Sequence, residues 1–588
     1  MKFTNIFALL LLTIALCFPA KITAVKAYPF PIEVQQPNGE LIAIQLHGDE
    51  YFHYATTSDN LLVTQNEEGY YLPKANSDEF LKAMKISAKK QKLENLKNKA
   101  AKNANITGTV RGLVILVNFK DVRFALSNNK QAFVNLLNQD GYGMNGATGS
   151  ARNYFLDNSN GKFTPVFDVF GPVTLSQNME YYGANDANGY DEHPEEMIMD
   201  ACKLAKNQFS DLNFANYDYD KDGVVDNVFV FYAGYGENDT GKVKTIWPHQ
   251  SYVGGYNLKI DNVLIDSYAC TSELNANGRI CGIGVFTHEF GHVLGLPDFY
   301  DADYKQNGEG PGIGTWSIMD SGTYLNGGNT PPNYTAMERN MLGWLTPIVL
   351  TPNIFGQNYD IKPISSNQAY RINTSIANEY FLMENRKKGD QWDQAIQGEG
   401  MLIYHVDQTT VKNKTINWYG DSYTVSADDL WYNKIPNIIG DHQCFDLLRA
   451  NNNPKVYSTM PFPAGQTSIT DLTTPNLVAW DGTLSGVAVT DISRDKGTGV
   501  VSLKLTKVQD NSISRNNVGS PLAFSDGNTI CFKNITENTQ ANIYDIKGNH
   551  YMSRSVCESD SQEIAVPGIY IVKLQTNNEV FTYKIIIK

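Results

Sequence analysis

The sequence predicts a multidomain chain of α+β class, with a mixed α+β domain in its first half followed by β-sandwich-type domains. Three observations predict this. At 588 residues the chain is too long for one core. Between residues 110 and 344, apolar β-branched runs alternate with helical stretches; beyond Trp344 only strands and turns recur. A polar stretch, 507–520, then sets off a strand-rich tail. The expected boundaries are 1–27, 28–107, 108–348, 349–506, 507–520 and 521–588.

Met1-Lys2 and the apolar run 6–16 read as a secretory signal, with cleavage after Ala20, Ala24 or Ala27. The run is short for a membrane span, and no later run is long enough to be one. From 28 to 75 the chain reads as short strands and turns. A lysine-rich helical stretch, 77–104, reads as a solvated connector exposed to proteolysis. A propeptide with its processing region fits this position, and Asp49 is a candidate carboxylate for holding a latent metal.

The α+β domain opens on a buried strand at 110–119. Helices are expected near 130–137, 150–156 and 194–209, a core strand at 228–232 and a helix at 284–294. A strand at 260–267 is expected to form a sheet edge able to bind an extended chain. His249 and His405 read as packed structural histidines. Cys270 and Cys281 flank the loop before the 284–294 helix, so a staple is expected there; Cys531 and Cys557 could also pair. Cys202 and Cys444 could equally be buried thiols.

The chemistry concentrates in His288-Glu289-Phe290-Gly291-His292-Val293-Leu294-Gly295-Leu296-Pro297-Asp298. Four residues apart on a helix, His288 and His292 share a face and can grip one zinc ion. Glu289 lies beside the open coordination position, where it can take a proton from water. Gly295 can end the helix in a left-handed turn, and Pro297 forbids its resumption. The chain then turns back, which can bring Asp298 under the metal as third ligand. Downstream, Met319 in Trp316-Ser317-Ile318-Met319-Asp320 supplies a Met-turn floor. This pattern resembles the metzincin proteases, with Asp in place of their last His. No Tyr stands two residues after Met319, so Tyr324 is the nearest candidate for stabilising an oxyanion.

A second metal candidate is the loop 218–226. Asp218, Asp220, Asp222 and Asp226 stand at positions one, three, five and nine, with Gly223 at six and Val224 at seven. Hard oxygen donors at that spacing suit calcium. Phe229 stands where a bidentate Glu is expected, so a ligand must come from elsewhere. With 48 Lys+Arg against 62 Asp+Glu the formal charge is −14, which argues against nucleic acid as partner.

HEFGHVLGLPD, TWSIMDSG, LVILVNFKD (113–121), DYDKDGVVD, FLMENR (381–386) and GMLIYHVD (400–407) resemble landmarks of the immune inhibitor A family of secreted bacterial metallopeptidases. The resemblance implies a zinc-dependent endopeptidase made as a zymogen, with calcium-supported structure. It carries zinc to His288, His292 and Asp298 and the general base to Glu289. NIYDIKG, VPGIYIVKL and the terminal YKIIIK resemble the C-terminal sorting domain of the type IX secretion system. That implies a Bacteroidota-like Gram-negative host, outer-membrane translocation by the type IX machinery, and release or surface attachment. A monomer acting on protein or peptide substrates is expected. The alternatives are a zinc hydrolase with a distant Glu ligand, and a non-catalytic adhesin or binding protein retaining structural zinc and calcium.

Overall fold

The computed structural model of the protein describes residues 23–50, 52–75, 80–81, 107–186, 189–303, 305–351, 356–418, 421–507, 521–535, 539–576 and 580–587. The expected signal run, most of the basic connector and the linker 508–520 lie outside the described residues. Contacts divide the chain into two compact units, Met1–Thr506 and Lys507–Lys588.

In the first unit a six-stranded sheet carries the α+β domain. Its strands are β1 (Thr23–Ala24), β7 (Gly108–Asn118), β8 (Phe163–Thr174), β9 (Val228–Tyr235), β10 (His249–Tyr252) and β13 (Ser267–Leu274). Their order is β1-β10-β13-β9-β7-β8. The β13, β9, β7 and β8 strands run parallel to their neighbours, as strands do when helices cover both faces. β10 is antiparallel to β13, and β1 antiparallel to β10. Helices α1 (Asn129–Asn138), α2 (Ala151–Asn158) and α3 (Pro194–Gln208) match the expected positions. Ser150 and Asn153 close a reciprocal cap on α2, and Pro194 opens α3, so local chemistry sets both starts. Helix α4 (Ile283–Val293) is buried nearly all round, between this sheet and the segment that follows Met319.

The expected edge strand at 260–267 is corrected. Lys259–Ile260 and Val263–Leu264 pair as a small separate hairpin, and Ser267 opens the interior strand β13. β10 lies beyond β13 at that end of the sheet and carries β1 on its outer side. The expected staple is also corrected: Cys270 and Cys281 are free buried thiols. The Cys281 thiol donates to the Ser272 carbonyl at 2.9 Å, and Cys270 Sγ lies 3.6 Å from His249 Nδ1. Cys531 and Cys557 are also free, while Cys202 and Cys444 are buried.

Ahead of the α+β domain, five antiparallel strands form a sheet in sequential order: β2 (Ile32–Gln35), β3 (Leu41–Asp49), β4 (Phe52–Thr57), β5 (Leu62–Gln65) and β6 (Tyr71–Pro73). Its apolar face packs on Trp247 with Ala27. After residue 348, one five-stranded and one four-stranded sheet share a core that includes Phe381, Met383, Ile403, Val489 and Val501. The second unit has a three-stranded and a four-stranded sheet around a core with Ile543, Val572 and Ile585. Its last strand, Val580–Ile587, alternates exposed and buried residues along its length. Among the described residues, no helix is long and apolar enough to cross a membrane.

Candidate metal centre and groove

Helix α4 ends as its sequence dictates. Gly295 adopts φ +106°, its N–H donates to the His292 carbonyl at 3.0 Å, and the Leu296 N–H donates to the Gly291 carbonyl at 3.0 Å. This is the paired closure that a left-handed glycine permits. The reversal brings Asp298 back beneath the helix. Asp298 Oδ1 lies 3.4 Å from His288 Nε2 and 3.3 Å from His292 Nε2, and the two imidazole nitrogens are 3.1 Å apart.

Each imidazole is oriented from behind. His288 Nδ1 donates to the Ile318 carbonyl at 2.7 Å and His292 Nδ1 to the Leu296 carbonyl at 3.0 Å. With Nδ1 protonated, Nε2 of a neutral ring presents a lone pair. Burial keeps the rings neutral: the His288 pKa falls to about 4, through burial and then His292, and that of His292 to about 3, through burial and then Lys434. Two lone pairs and a carboxylate oxygen thus converge, an arrangement that suits a cation. An ion bound tetrahedrally at about 2.1 Å from each donor sets the donors about 3.4 Å apart. The observed separations fit zinc and its nitrogen-oxygen donor set.

Met319 is fully buried beneath this cluster. A Cβ on Gly291 would stand 2.7 Å from Met319 Sδ, so glycine at this helix position is what lets the sulfur approach. The Met-turn is pinned by a residue that the sequence reading missed. Glu338 accepts from the Ser317 hydroxyl at 2.6 Å and from the Met319 N–H at 3.4 Å. Arg386, in FLMENR, is fully buried and donates to the carbonyls of Trp316 at 3.0 Å and Asn333 at 3.2 Å; its charge is met by Glu384 and Asp393. The β-rich region thereby holds the floor of the metal centre. His405, expected to be structural, accordingly pairs with Glu379 at 2.8 Å in that region.

Glu289 faces a groove along β10, and that groove is filled. β1 pairs with β10, with Thr23 opposite Gln250 and Ala24 opposite His249. The Val25 N–H donates to Glu289 Oε1 at 2.9 Å, and the Val25 carbonyl accepts from the Trp247 indole at 2.9 Å. The Tyr324 hydroxyl donates to the Lys26 carbonyl, and the Asn238 side chain donates to Tyr324 Oη at 3.0 Å. The Tyr28 N–H continues the run to the Asn238 carbonyl at 2.8 Å. Residues 23–27, assigned to the leader by sequence, therefore lie extended across the groove. Among the described residues Glu289 Oε2 has no hydrogen-bond partner, and burial followed by Asp298 raises the carboxyl pKa well above its ordinary value. Asp49 does not join the metal centre: its Oδ1 accepts from the Phe52 N–H at 3.3 Å. His249 is structural as expected, bonded to the Trp247 carbonyl and the Tyr268 hydroxyl.

In the acidic loop, Asp218, Asp220 and Asp222 bring carboxylate oxygens within 4.8 Å of one another. Asp226 Oδ2 accepts from the Tyr219 N–H of the same loop at 2.7 Å. Val224 bridges to Leu264.

Two segments of the chain match known families. Residues 101–345 match the immune inhibitor A peptidase M6 catalytic domain. Residues 524–588 match the secretion system C-terminal sorting domain. The chain is 30% identical over 213 residues to "Immune inhibitor A" of Bacillus thuringiensis subsp. alesti, a stretch covering 32% of this chain and 31% of that protein. It is 30% identical over 224 residues to "Pre-pro-metalloprotease PrtV" of Vibrio cholerae serotype O1 (strain ATCC 39315 / El Tor Inaba N16961), covering 33% of this chain and 23% of that protein. The matched stretch thus spans less than a third of either relative. The chain carries a catalytic domain of the immune inhibitor A peptidase M6 family, followed by a secretion system C-terminal sorting domain.

Proposed function

We propose that the protein is a secreted, metzincin-like zinc endopeptidase made as a zymogen. The convergence of His288, His292 and Asp298 beside Glu289, on a groove that already binds an extended segment, carries this reading. When bound there, zinc lowers the pKa of a water and polarises a peptide carbonyl. The chain's own residues do the rest. β10 aligns the substrate backbone by strand addition. Glu289 takes the proton from the attacking water and returns it to the leaving amine. Tyr324, whose hydroxyl already reaches a carbonyl in the groove, donates to the oxygen on which charge develops.

The same groove supports latency. The segment 23–28 bonds to Glu289 and Tyr324 and leaves no room for substrate, so a leader ending before Thr23 keeps this plug on the exported chain. Cleavage in the basic stretch 77–104 then frees the N-terminal sheet. Calcium at Asp218, Asp220 and Asp222, with Val224 and Asp226 in the same loop, is proposed as a structural ion. The tail directs the chain to the type IX machinery, and the product is a monomer released or held at the surface of a Bacteroidota-like Gram-negative cell.

The test is a casein zymogram of the matured protein with and without chelator, alongside Glu289→Ala. The expected result is chelator-sensitive clearing by wild type and none by Glu289→Ala, with zinc content unchanged. Clearing retained by Glu289→Ala would sink the mechanism. No clearing by wild type under any condition would favour the adhesin reading.

A further inference from the structure

Beside the groove, Glu237 and Asp191 form a second acidic feature that the chemistry above does not use. Glu237 is 1% exposed. Its Oε1 meets His53 Nε2 at 3.0 Å and accepts from the Asn185 side chain at 2.9 Å. Asp191 accepts from the Trp247 N–H at 3.0 Å. Among the described residues, three buried oxygens here have no partner: Glu237 Oε2, Asp191 Oδ1 and Asn185 Oδ1. A buried acceptor left unpaired is costly, so such a group implies a donor that is not always in place.

The group that now reaches Glu237 is His53, from β4 of the N-terminal sheet. Its ring stacks on Trp247, with centroids 4.6 Å apart and planes at 26°. A cavity of about 240 Å3 adjoins it, lined by His53, Glu237, Asn185, Trp247, Leu46 and Tyr71 among others. Leu46, His53 and Tyr71 belong to the N-terminal sheet, so departure of that sheet opens the recess towards the groove.

Trp247 is the wall shared by groove and recess. Its indole N–H holds the Val25 carbonyl, one face carries His53, and Ala27 is buried in the same apolar cluster. Ala27 stands two residues beyond Val25, whose N–H meets Glu289. Ala27 shares the apolar cluster of Trp247, while His53 is the side chain that reaches Glu237. Trp247 thus stands between the chain at Val25 and Ala27 and the Glu237 recess.

We infer that Glu237, with Trp247 as a stacking wall, is a specificity-determining residue that selects substrates carrying arginine or lysine at the position Ala27 now occupies. A guanidinium offers five donors to the three unpartnered oxygens and stacks on an indole face. A neutral side chain leaves the Glu237 charge without a cation beside it once His53 has gone, so the site discriminates against it. This inference rests on the peptidase reading above.

The test uses the matured, zinc-loaded protein on a peptide library, with cleavage sites read by mass spectrometry. Wild type is expected to show arginine and lysine enriched at one fixed position near the scissile bond. For a matched peptide pair differing only there, Glu237→Gln should lower the basic-to-neutral ratio of kcat/KM by at least about tenfold, the lower end of what close charge pairs give. A flat wild-type profile, or an unchanged ratio in Glu237→Gln, overturns the inference while leaving the peptidase reading intact. Should Glu237→Gln fail to fold, the wild-type profile alone decides. Absence of all cleavage by wild type overturns both, and is a distinct result.

Discussion

At the residue scale, helix geometry made the site legible. His288, Glu289 and His292 follow from the period of 3.6 residues, and Gly295 followed by Pro297 forecast the reversal that carries Asp298 to within 3.4 Å of both histidines. These are local rules, readable from neighbouring letters. Glu338 and Arg386 were not legible as partners of the Met-turn, because their contacts cross tens of residues and no spacing rule links them. Gly291 has a testable consequence. Gly291→Ala places a methyl against Met319 Sδ, in a fully buried floor. It should lower stability by about 1–3 kcal/mol, the usual cost of overpacking, and weaken zinc retention. Urea unfolding and metal analysis check this; full stability would mean that the sulfur moves aside freely.

At the scale of elements, helices and core strands were found within a few residues of their expected positions, because periodicity and caps announce them. The sheet edge was misread because edge identity depends on pairing across the fold. The 260–267 region has strand composition, yet its first part folds back on itself as a hairpin, and β10 with β1 beyond it forms that side of the sheet. Arg386 sits at the end of a strand buried along its whole length and ties two carboxylates to two carbonyls of the floor. Arg386→Ala strands Glu384 and Asp393 without their cation, at a cost of about 3–5 kcal/mol. Thermal unfolding should show this loss together with impaired activity. For the acidic loop, calcium should raise the thermal midpoint of wild type but not of Asp220→Ala, since only an ion that binds the folded loop stabilises it. An equal rise in both proteins would remove the loop as the site.

At the scale of the whole molecule, the division between Thr506 and Lys507 coincides with a change in composition, whereas the plug left no such mark. Its contacts join residues more than two hundred positions apart, such as Val25 and Glu289. His53 makes this docking sensitive to pH. Burial opposes its protonation, but Glu237 beside it, with help from Asp49, outweighs burial and raises its pKa above the ordinary 6.5. A raised histidine contributes stability below its unfolded pKa and loses it as pH rises through the folded value. The stability advantage of the uncleaved chain over His53→Asn should therefore be present at pH 6 and decline towards pH 9. Thermal midpoints at both pH values measure it, and an advantage constant with pH would rule out the ion pair as its source.

The tether between the N-terminal sheet and the α+β domain has a kinetic meaning. While the chain is whole, the plug meets its groove at an effective concentration on the order of millimolar. A cut between residues 81 and 107 removes that advantage without disturbing any contact of β1 with β10. The severed piece then behaves as an ordinary competitive ligand whose hold depends on how much of it is present. Dense secretions would stay quiet after the cut and become active on dilution, so that distance from the producing cell sets the timing.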